Sequence, residues 1–446
     1  MSNNGTIYSK RKGITPFHVH PLKEYAKIVG EDKIEALKEL SEELQGIKML
    51  ELSSTRYGGG VAEMLNSSVP FLNMIGIKDD WNVIRGNKKF FEVTKSLHNL
   101  LQGKKDLLTE EMVNTYNSCI KENIEANIID EDYDVVFVHD PQPLALAREL
   151  RKPDQKWFWR CHIDIDEDAF TRNKRLWDFI SYWADSFDAV IFSAAYFVVS
   201  RWPLPKFIIP PFIDPLSDKN VELREEKIEK TLEKYDINRD KPIISQIGRF
   251  DRWKDPVGAI SIYKEVKRRE DCQLIIAGGM ASDDPEGEGV LKEVKRKAKG
   301  DDDIHILVLP NLSNFEINAI QRGSDVIMQN SIKEGFGLTV TEALWKGKPV
   351  ITRPVGGIML QIRDGINGFL ISDAKEGADK IIYLLRNPNK QELMGKKGKR
   401  YIKDHFLLPD RIHDLLLAIK IINQYKIPIE SIISFHPWFK LSKRVW

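Results

Sequence analysis

Cysteine is almost missing from this chain. Cys119, Cys161 and Cys272 are the only three in 446 residues, and they stand far apart without metal-ligand spacing. Neither a disulfide framework nor a thiolate zinc site is expected from them. Long apolar runs are missing too, since none approaches the ~20 residues of a membrane span. Charge of one sign does not accumulate. The 67 Lys and Arg against 66 Asp and Glu leave a net charge of +1. That balance carries no footprint of nucleic-acid binding and no like-charged tail. The segment from Met1 to Lys12 is polar and has no signal-peptide core, so a soluble, cytoplasmic protein is expected. Neither a G-x-G-x-x-G dinucleotide fingerprint nor an internal repeat of fixed period is found.

What is present is an alternation. Apolar residues make up 42% of the chain and charged residues 30%, enough for sizeable cores. The richness in Lys, Glu and Ile with little Cys fits a hyperthermophile. Apolar runs at 47–52, 133–138, 156–161, 188–192 and 206–209 read as strands. A second series falls at 242–247, 273–277, 304–309, 325–329, 349–351 and 368–371. Helical patterns lie between them, clearest at 33–44, 88–101, 110–128 and 222–234. Strand alternating with helix implies doubly wound parallel sheets. Two such series imply two Rossmann-like α/β domains facing a central cleft. Pro210-Pro211 and Asp214-Pro215 interrupt the pattern, so the boundaries are expected at 1–215, 216–425 and a tail, 426–446. The tail contains Phe435-His436-Pro437-Trp438-Phe439, which needs a docking surface; packing back on the first domain is expected.

The chemistry concentrates after the strand at 325–329. There Glu334, Gly335, Phe336, Gly337, Leu338 and Thr339 lead into an apolar helix that carries Glu342 and stops at Gly347-Lys348-Pro349. Glycines without Cβ let a ligand approach the backbone, and the amides that open a helix favour a phosphate. Two carboxylates eight residues apart accept from hydroxyls. Together these suit a sugar nucleotide, although an ordinary helix start with two solvated glutamates would look the same. Ser53-Ser54-Thr55-Arg56-Tyr57-Gly58-Gly59-Gly60 is a second glycine cradle between strand and helix. Arg249 and Lys254 flank a turn just past the first strand of the second series, with Asp255-Pro256 opening a helix. A guanidinium fork and a point charge suit a diphosphate.

Polar residues also gather at strand ends in the first half. His139, Asp140 and Gln142 follow one strand, and His162, Asp164 and Asp166 follow the next. Ligands of open α/β sheets bind at such carboxyl ends. Asp164-Ile165-Asp166 matches a D-x-D metal pattern, but a cationic pair already neutralises a diphosphate, so no metal site is expected. His18-Val19-His20 reads as two histidines on a strand face, and the run from Asp283 to Glu288 as a solvated acidic loop.

The E-x7-E spacing of Glu334 and Glu342, the Arg249 and Lys254 pair, and the early glycine loop resemble the retaining GT-B glycosyltransferases of family 4. The likeness covers nearly the whole chain. His139-Asp140-Pro141-Gln142-Pro143 and Arg160-Cys161-His162-Ile163-Asp164 are most similar to the trehalose glycosyltransferring synthases, and beyond them to trehalose phosphorylases. The resemblance implies an acceptor-side first domain and a nucleotide-sugar-binding second domain. It implies Arg249 and Lys254 on the donor diphosphate, capped by Gly59 and Gly60. Glu334 and the backbone at residues 335–339 would meet the donor sugar and phosphate, Glu342 the ribose, and His162 the donor sugar near the reacting carbon. Arg56, Asp140, Gln142 and Asp164 would meet the acceptor. The implied substrates are NDP-glucose (UDP-glucose among them), glucose and trehalose. No cofactor is implied, though Mg²⁺ could accompany the diphosphate. The base is expected near the loop at 308–311. The sequence leaves the base, the direction of reaction and a homodimer open.

Overall fold

The computed structural model describes residues 20–279, 287–310 and 313–436. His18, Val19, Asp283 to Glu286, Asn311 and the tail from Pro437 onward lie outside these residues. The chain forms two compact units, one from residues up to Pro211 together with those from Leu408 onward, the other from Phe212 to Leu407. The divisions fall at 211/212 and 407/408 rather than at 215/216 and 425/426. The second one differs most because the Leu408–Gln424 helix packs on the Glu31–Glu43 and Gly60–Met74 helices of the first unit.

The first unit holds β1 (Lys48–Ser53), β2 (Lys78–Val83), β3 (Val135–His139), β4 (Lys156–Cys161), β5 (Ala189–Phe192) and β6 (Lys206–Ile208). One more strand, β13 (Ile432–Ser434), joins them from far down the chain. The order is β13-β6-β5-β4-β3-β1-β2, and every pairing is parallel. All five residues of β3 are buried, as an inner parallel strand covered on both faces requires. β2 escaped the sequence reading because Lys78-Asp79-Asp80 opens it. β13 escaped it because three residues give no period. Its docking has local reasons. The buried Lys206 ammonium donates to the carbonyls of Trp202 at 2.7 Å and Ile429 at 3.1 Å, and Phe435 stacks on Phe207. All three cysteines are free and buried. His20 precedes the first helix and lies on no strand.

The second unit holds β7 (Ile243–Ile247), β8 (Gln273–Gly278), β9 (Ile304–Val308), β10 (Val326–Gln329), β11 (Val350–Thr352) and β12 (Gly368–Leu370). The order is β12-β11-β10-β7-β8-β9, again all parallel. Side chains of a strand alternate between faces, and here each face has its own core. Ile244, Leu274, Ile276 and Met328 pack with Ile260 and Tyr263 on one face. Ile243, Ile247, Ile275 and Ala277 pack with Ile228, Leu232 and Ile320 on the other. Gly278 at the end of β8 sits so close to the β7 loop that a Cβ would lie 1.8 Å from the Gly248 carbonyl oxygen. That approach brings the loop holding Arg249 and Lys254 against its neighbour.

Candidate active site

In the second unit, three loops leave the carboxyl ends of β7, β10 and β11. The β7 loop carries Arg249 and Lys254. Lys254 makes a short ion pair with Glu334, both largely buried. Ser331 adds its hydroxyl to the same Glu334 oxygen at 3.2 Å. Arg249, more exposed, lies 3.8 Å from Asp251. Asp255 follows in a left-handed conformation with φ of 45°, rare for a residue with a side chain. It caps the Pro256–Lys267 helix by accepting from the Gly258 amide at 2.9 Å. Asn330 donates to Asp255 at 2.8 Å and accepts from Arg353 at 3.0 Å. Gln246 donates to the Lys254 carbonyl at 2.9 Å and accepts from the Asn330 amide at 3.1 Å. The three loops are thereby tied to one another by polar bonds.

Gly337, with φ of 84°, precedes the Leu338–Trp345 helix, and among the described residues no side-chain cap bond closes that end. The Gly335 to Gly337 turn is braced from behind. Gln361, fully buried, donates to the Phe336 carbonyl at 2.7 Å and accepts from Thr341 at 2.7 Å. The Gly357 amide donates to the Gly335 carbonyl at 2.7 Å. A Cβ on Gly356 would lie 1.6 Å from the Glu334 carbonyl oxygen, so only glycine fits there. Phe336 packs on Phe406, and Thr339 hydrogen-bonds Gln329 at 3.3 Å. Neither glutamate of the motif is a solvated helix-start residue. Glu342 is 0% exposed, with the Lys219 ammonium 2.9 Å from its carboxylate.

In the first unit the carboxyl ends of β1, β3 and β4 carry the other candidates. Gly59 and Gly60 are exposed at the start of the Gly60–Met74 helix, and Gly59 has φ of 97°. Arg56 lies over the Trp81 ring at 4.2 Å and donates to the Trp81 carbonyl at 3.4 Å. Asp140 is another left-handed non-glycine, with φ of 60°. It accepts from the His162 amide at 2.9 Å, and its own carbonyl takes the Trp159 indole at 3.2 Å. Burial pushes its carboxyl up to about 7, against the opposing pull of that amide and of Arg160. Burial, Arg160 and His139 push the His162 imidazole well below its ordinary range. Gln142 Oε1 is buried without a hydrogen-bond partner among the described residues. Asp164 is partly buried. Asp166 caps the Glu167–Arg172 helix and pairs with Arg172 at 2.7 Å. Among the described residues no three His, Cys, Asp or Glu are grouped to hold a metal ion.

Four residues of the second unit and Glu51 of the first were not foreseen. Asn330, Arg353, Gly356 and Gln361 organise the second unit's loops. The Gly356-Gly357 pair after β11 was the legible signal, since it repeats the pattern of glycines following a strand. In the first unit His139 Nε2 meets the Glu51 carboxylate at 2.6 Å, and His139 Nδ1 meets His162 Nε2 at 3.0 Å. Glu51 lies inside β1, where no local motif marks it.

Residues 51–199 match the family described as trehalose synthase, N-terminal domain, and residues 227–401 match glycosyl transferases group 1. The chain is 45% identical to a trehalose synthase of Pyrococcus horikoshii over 406 residues, 89% of this chain and 96% of that one. It is 38% identical to a trehalose synthase of Rubrobacter xylanophilus, over 90% and 96% of the two chains. A trehalose phosphorylase of Pleurotus pulmonarius is 30% identical, but the match spans only 55% of its length. Among solved structures, an α,α-trehalose-phosphate synthase (UDP-forming) from Burkholderia xenovorans superposes with a TM-score of 0.68 at 12% identity. The match covers 84% of this chain and all of that one. A sucrose-phosphate synthase from Thermosynechococcus elongatus gives 0.64 at 17% identity over 84% and 98% of the two chains.

Proposed function

The chain belongs to the trehalose synthase family, hexosyltransferases of the GT-B fold, and from that premise we propose that it forms α,α-trehalose reversibly from NDP-glucose and glucose. The single observation that carries the reading is the buried Lys254–Glu334 pair on the glycine loop of the second unit. A sugar nucleotide needs a cation for its diphosphate and an acceptor for its sugar hydroxyls. This pair places one of each side by side, next to an uncapped helix start.

In the proposed reaction the bond between glucose C1 and the diphosphate oxygen breaks. A bond from C1 to the acceptor's anomeric oxygen forms on the same face, so the α configuration is kept. The acceptor's hydroxyl proton passes to the departing diphosphate. Arg249, Lys254 and the amides at Leu338 and Thr339 stabilise the charge that develops on that diphosphate. Glu334 fixes the donor sugar, Gly59 and Gly60 lie on the diphosphate, and Glu342 serves the ribose. His162 meets the donor sugar. Asp140, Gln142, Asp164 and Arg56 take the acceptor, whose correct placement lowers the barrier by proximity. Among these, the buried unpartnered Gln142 amide oxygen supports a ligand hydroxyl most directly.

The experiment is to incubate the protein with UDP-glucose or ADP-glucose and free glucose and to follow trehalose by chromatography. Trehalose formed only with a nucleotide sugar supports the proposal. Trehalose turnover that needs inorganic phosphate and no nucleotide selects a phosphorylase instead. Transfer to another sugar alone selects a related transferase.

A further inference from the structure

The first unit contains a buried hydrogen-bonded chain whose first two members, Glu51 and His139, the transfer chemistry above does not use. It runs from Glu51 in β1 to His139 at the end of β3 and on to His162 just past β4. Glu51 and His139 are each 1% exposed at the side chain. Their contact is 2.6 Å, and the next one, His139 Nδ1 to His162 Nε2, is 3.0 Å. The two imidazole rings lie nearly parallel, 7° apart. The strand register explains the alignment. Glu51 pairs with Phe137 across β1 and β3, and His139 stands two residues further along, on the same face of the sheet.

The proton count along this chain is constrained. An ionised carboxylate only accepts, so Glu51 requires the proton of His139 on Nε2. A neutral His139 then has a lone pair at Nδ1, and the bond to His162 forms only if His162 Nε2 carries a hydrogen. The remaining nitrogen of His162, Nδ1, is left as a lone pair. No described residue takes that nitrogen. The His162 amide is held by the Asp140 carboxylate at 2.9 Å, which fixes where the ring starts.

We infer that Glu51, acting through His139, fixes the tautomer of His162, so that Nδ1 is presented as a hydrogen-bond acceptor to a sugar hydroxyl. Glu51 and His139 are positioning residues, since neither reaches the sugar. The sugar's part in this inference rests on the proposed function above, but the tautomer does not. The depressed protonation of His162, caused first by burial, agrees with a neutral ring that accepts.

The test is ¹⁵N spectroscopy of the full-length, substrate-free protein with its histidines labelled. Protonated Nε2 on both His139 and His162, with unprotonated Nδ1 on His162, is the expected result. A proton on His162 Nδ1, or an imidazolium at either ring, overturns the inference. Glu51→Gln then probes the consequence, because an amide can donate as well as accept and so allows the chain to run backwards. Its kcat is expected to fall about tenfold to a hundredfold, the scale known for outer partners that fix the tautomer and orientation of metal-ligating histidines. The KM for NDP-glucose and the melting temperature should hold. A merely structural Glu51 would lower the melting temperature and leave kcat alone, which also overturns the inference. If Glu51→Gln does not fold, the native spectrum decides. If the native protein makes no trehalose, the proposed function fails while the tautomer assignment is still read.

Discussion

The strand ends of the two units are built in contrasting ways. The second unit assembles a charged end: Lys254 against Glu334, Lys219 against Glu342, and Asp255 against Arg353. The first assembles a buried and mostly neutral one. There His162 is held uncharged and the Asp140 carboxyl is pushed up to about 7. Charges suit a diphosphate, whose leaving is an electrostatic problem. Tautomers and amide oxygens suit sugar hydroxyls, which are told apart by direction rather than charge. The difference teaches that the two strand ends are built for two kinds of chemistry, which the proposed function would use for diphosphate and for sugar. Each needs its own scaffold, ion pairs in one and inner-strand polar chains in the other.

The largest effect that can break this contrast is expected in the charged end. Lys254→Ala and Glu334→Ala should each lower kcat/KM by ~10²–10³-fold, the scale for one lost electrostatic stabiliser, with folding retained by circular dichroism. Near-native turnover in either variant would contradict the division.

A comparable effect in free energy lies in the first unit and reads as pH dependence. The carboxyl of Asp140 titrates near 7 in the folded protein and near 3.8 in an ordinary environment. A folded value above the unfolded one means that the native state binds the extra proton. The stability it contributes is full below the unfolded value and is lost as pH rises through about 7, by up to about 4 kcal/mol. Urea unfolding across that window should show the fall, and Asp140→Asn should flatten it. An unchanged slope in that variant would remove Asp140 from the neutral end.

Gln361→Leu comes next. It leaves the buried carbonyl of Phe336 without its donor, which should cost about 1–3 kcal/mol in the unfolding midpoint and loosen the turn beside Glu334. The smallest effect is expected at Arg56→Ala, where losing the guanidinium over Trp81 should cost about 0.5–1 kcal/mol. A rise in the KM for glucose in the same variant would blur the contrast by adding a charge to the neutral end. An unchanged KM would assign Arg56 to packing.

The charged end was legible in the sequence because its parts are contiguous. Glu334 and the glycine loop lie within one stretch, and Arg249 and Lys254 within another. Each follows an apolar run whose end could be read. β4 was placed at the residues it occupies, because Lys156-Trp157-Phe158-Trp159-Arg160-Cys161 is an apolar run with polar ends. The neutral end was legible only in part. His162 and Asp140 were marked by their strand ends, but Glu51 is a lone carboxylate inside a strand. Its partner is 88 residues away in sequence, a separation that only the pairing of β1 with β3 brings together. β2 was missed for a related reason: a buried Asp79 contradicts the apolar pattern by which strands are recognised.

The edge strand β13 has a consequence for synthesis. A ribosome that has delivered residues up to Leu407 has made the whole second unit, which is then free to fold. The first unit is still short of its outermost strand and of the Leu408–Gln424 helix. Until residues 432–434 emerge, β6 presents an open row of backbone amides and carbonyls, the kind of edge that recruits other chains. The part of the molecule translated first is therefore the last to be finished.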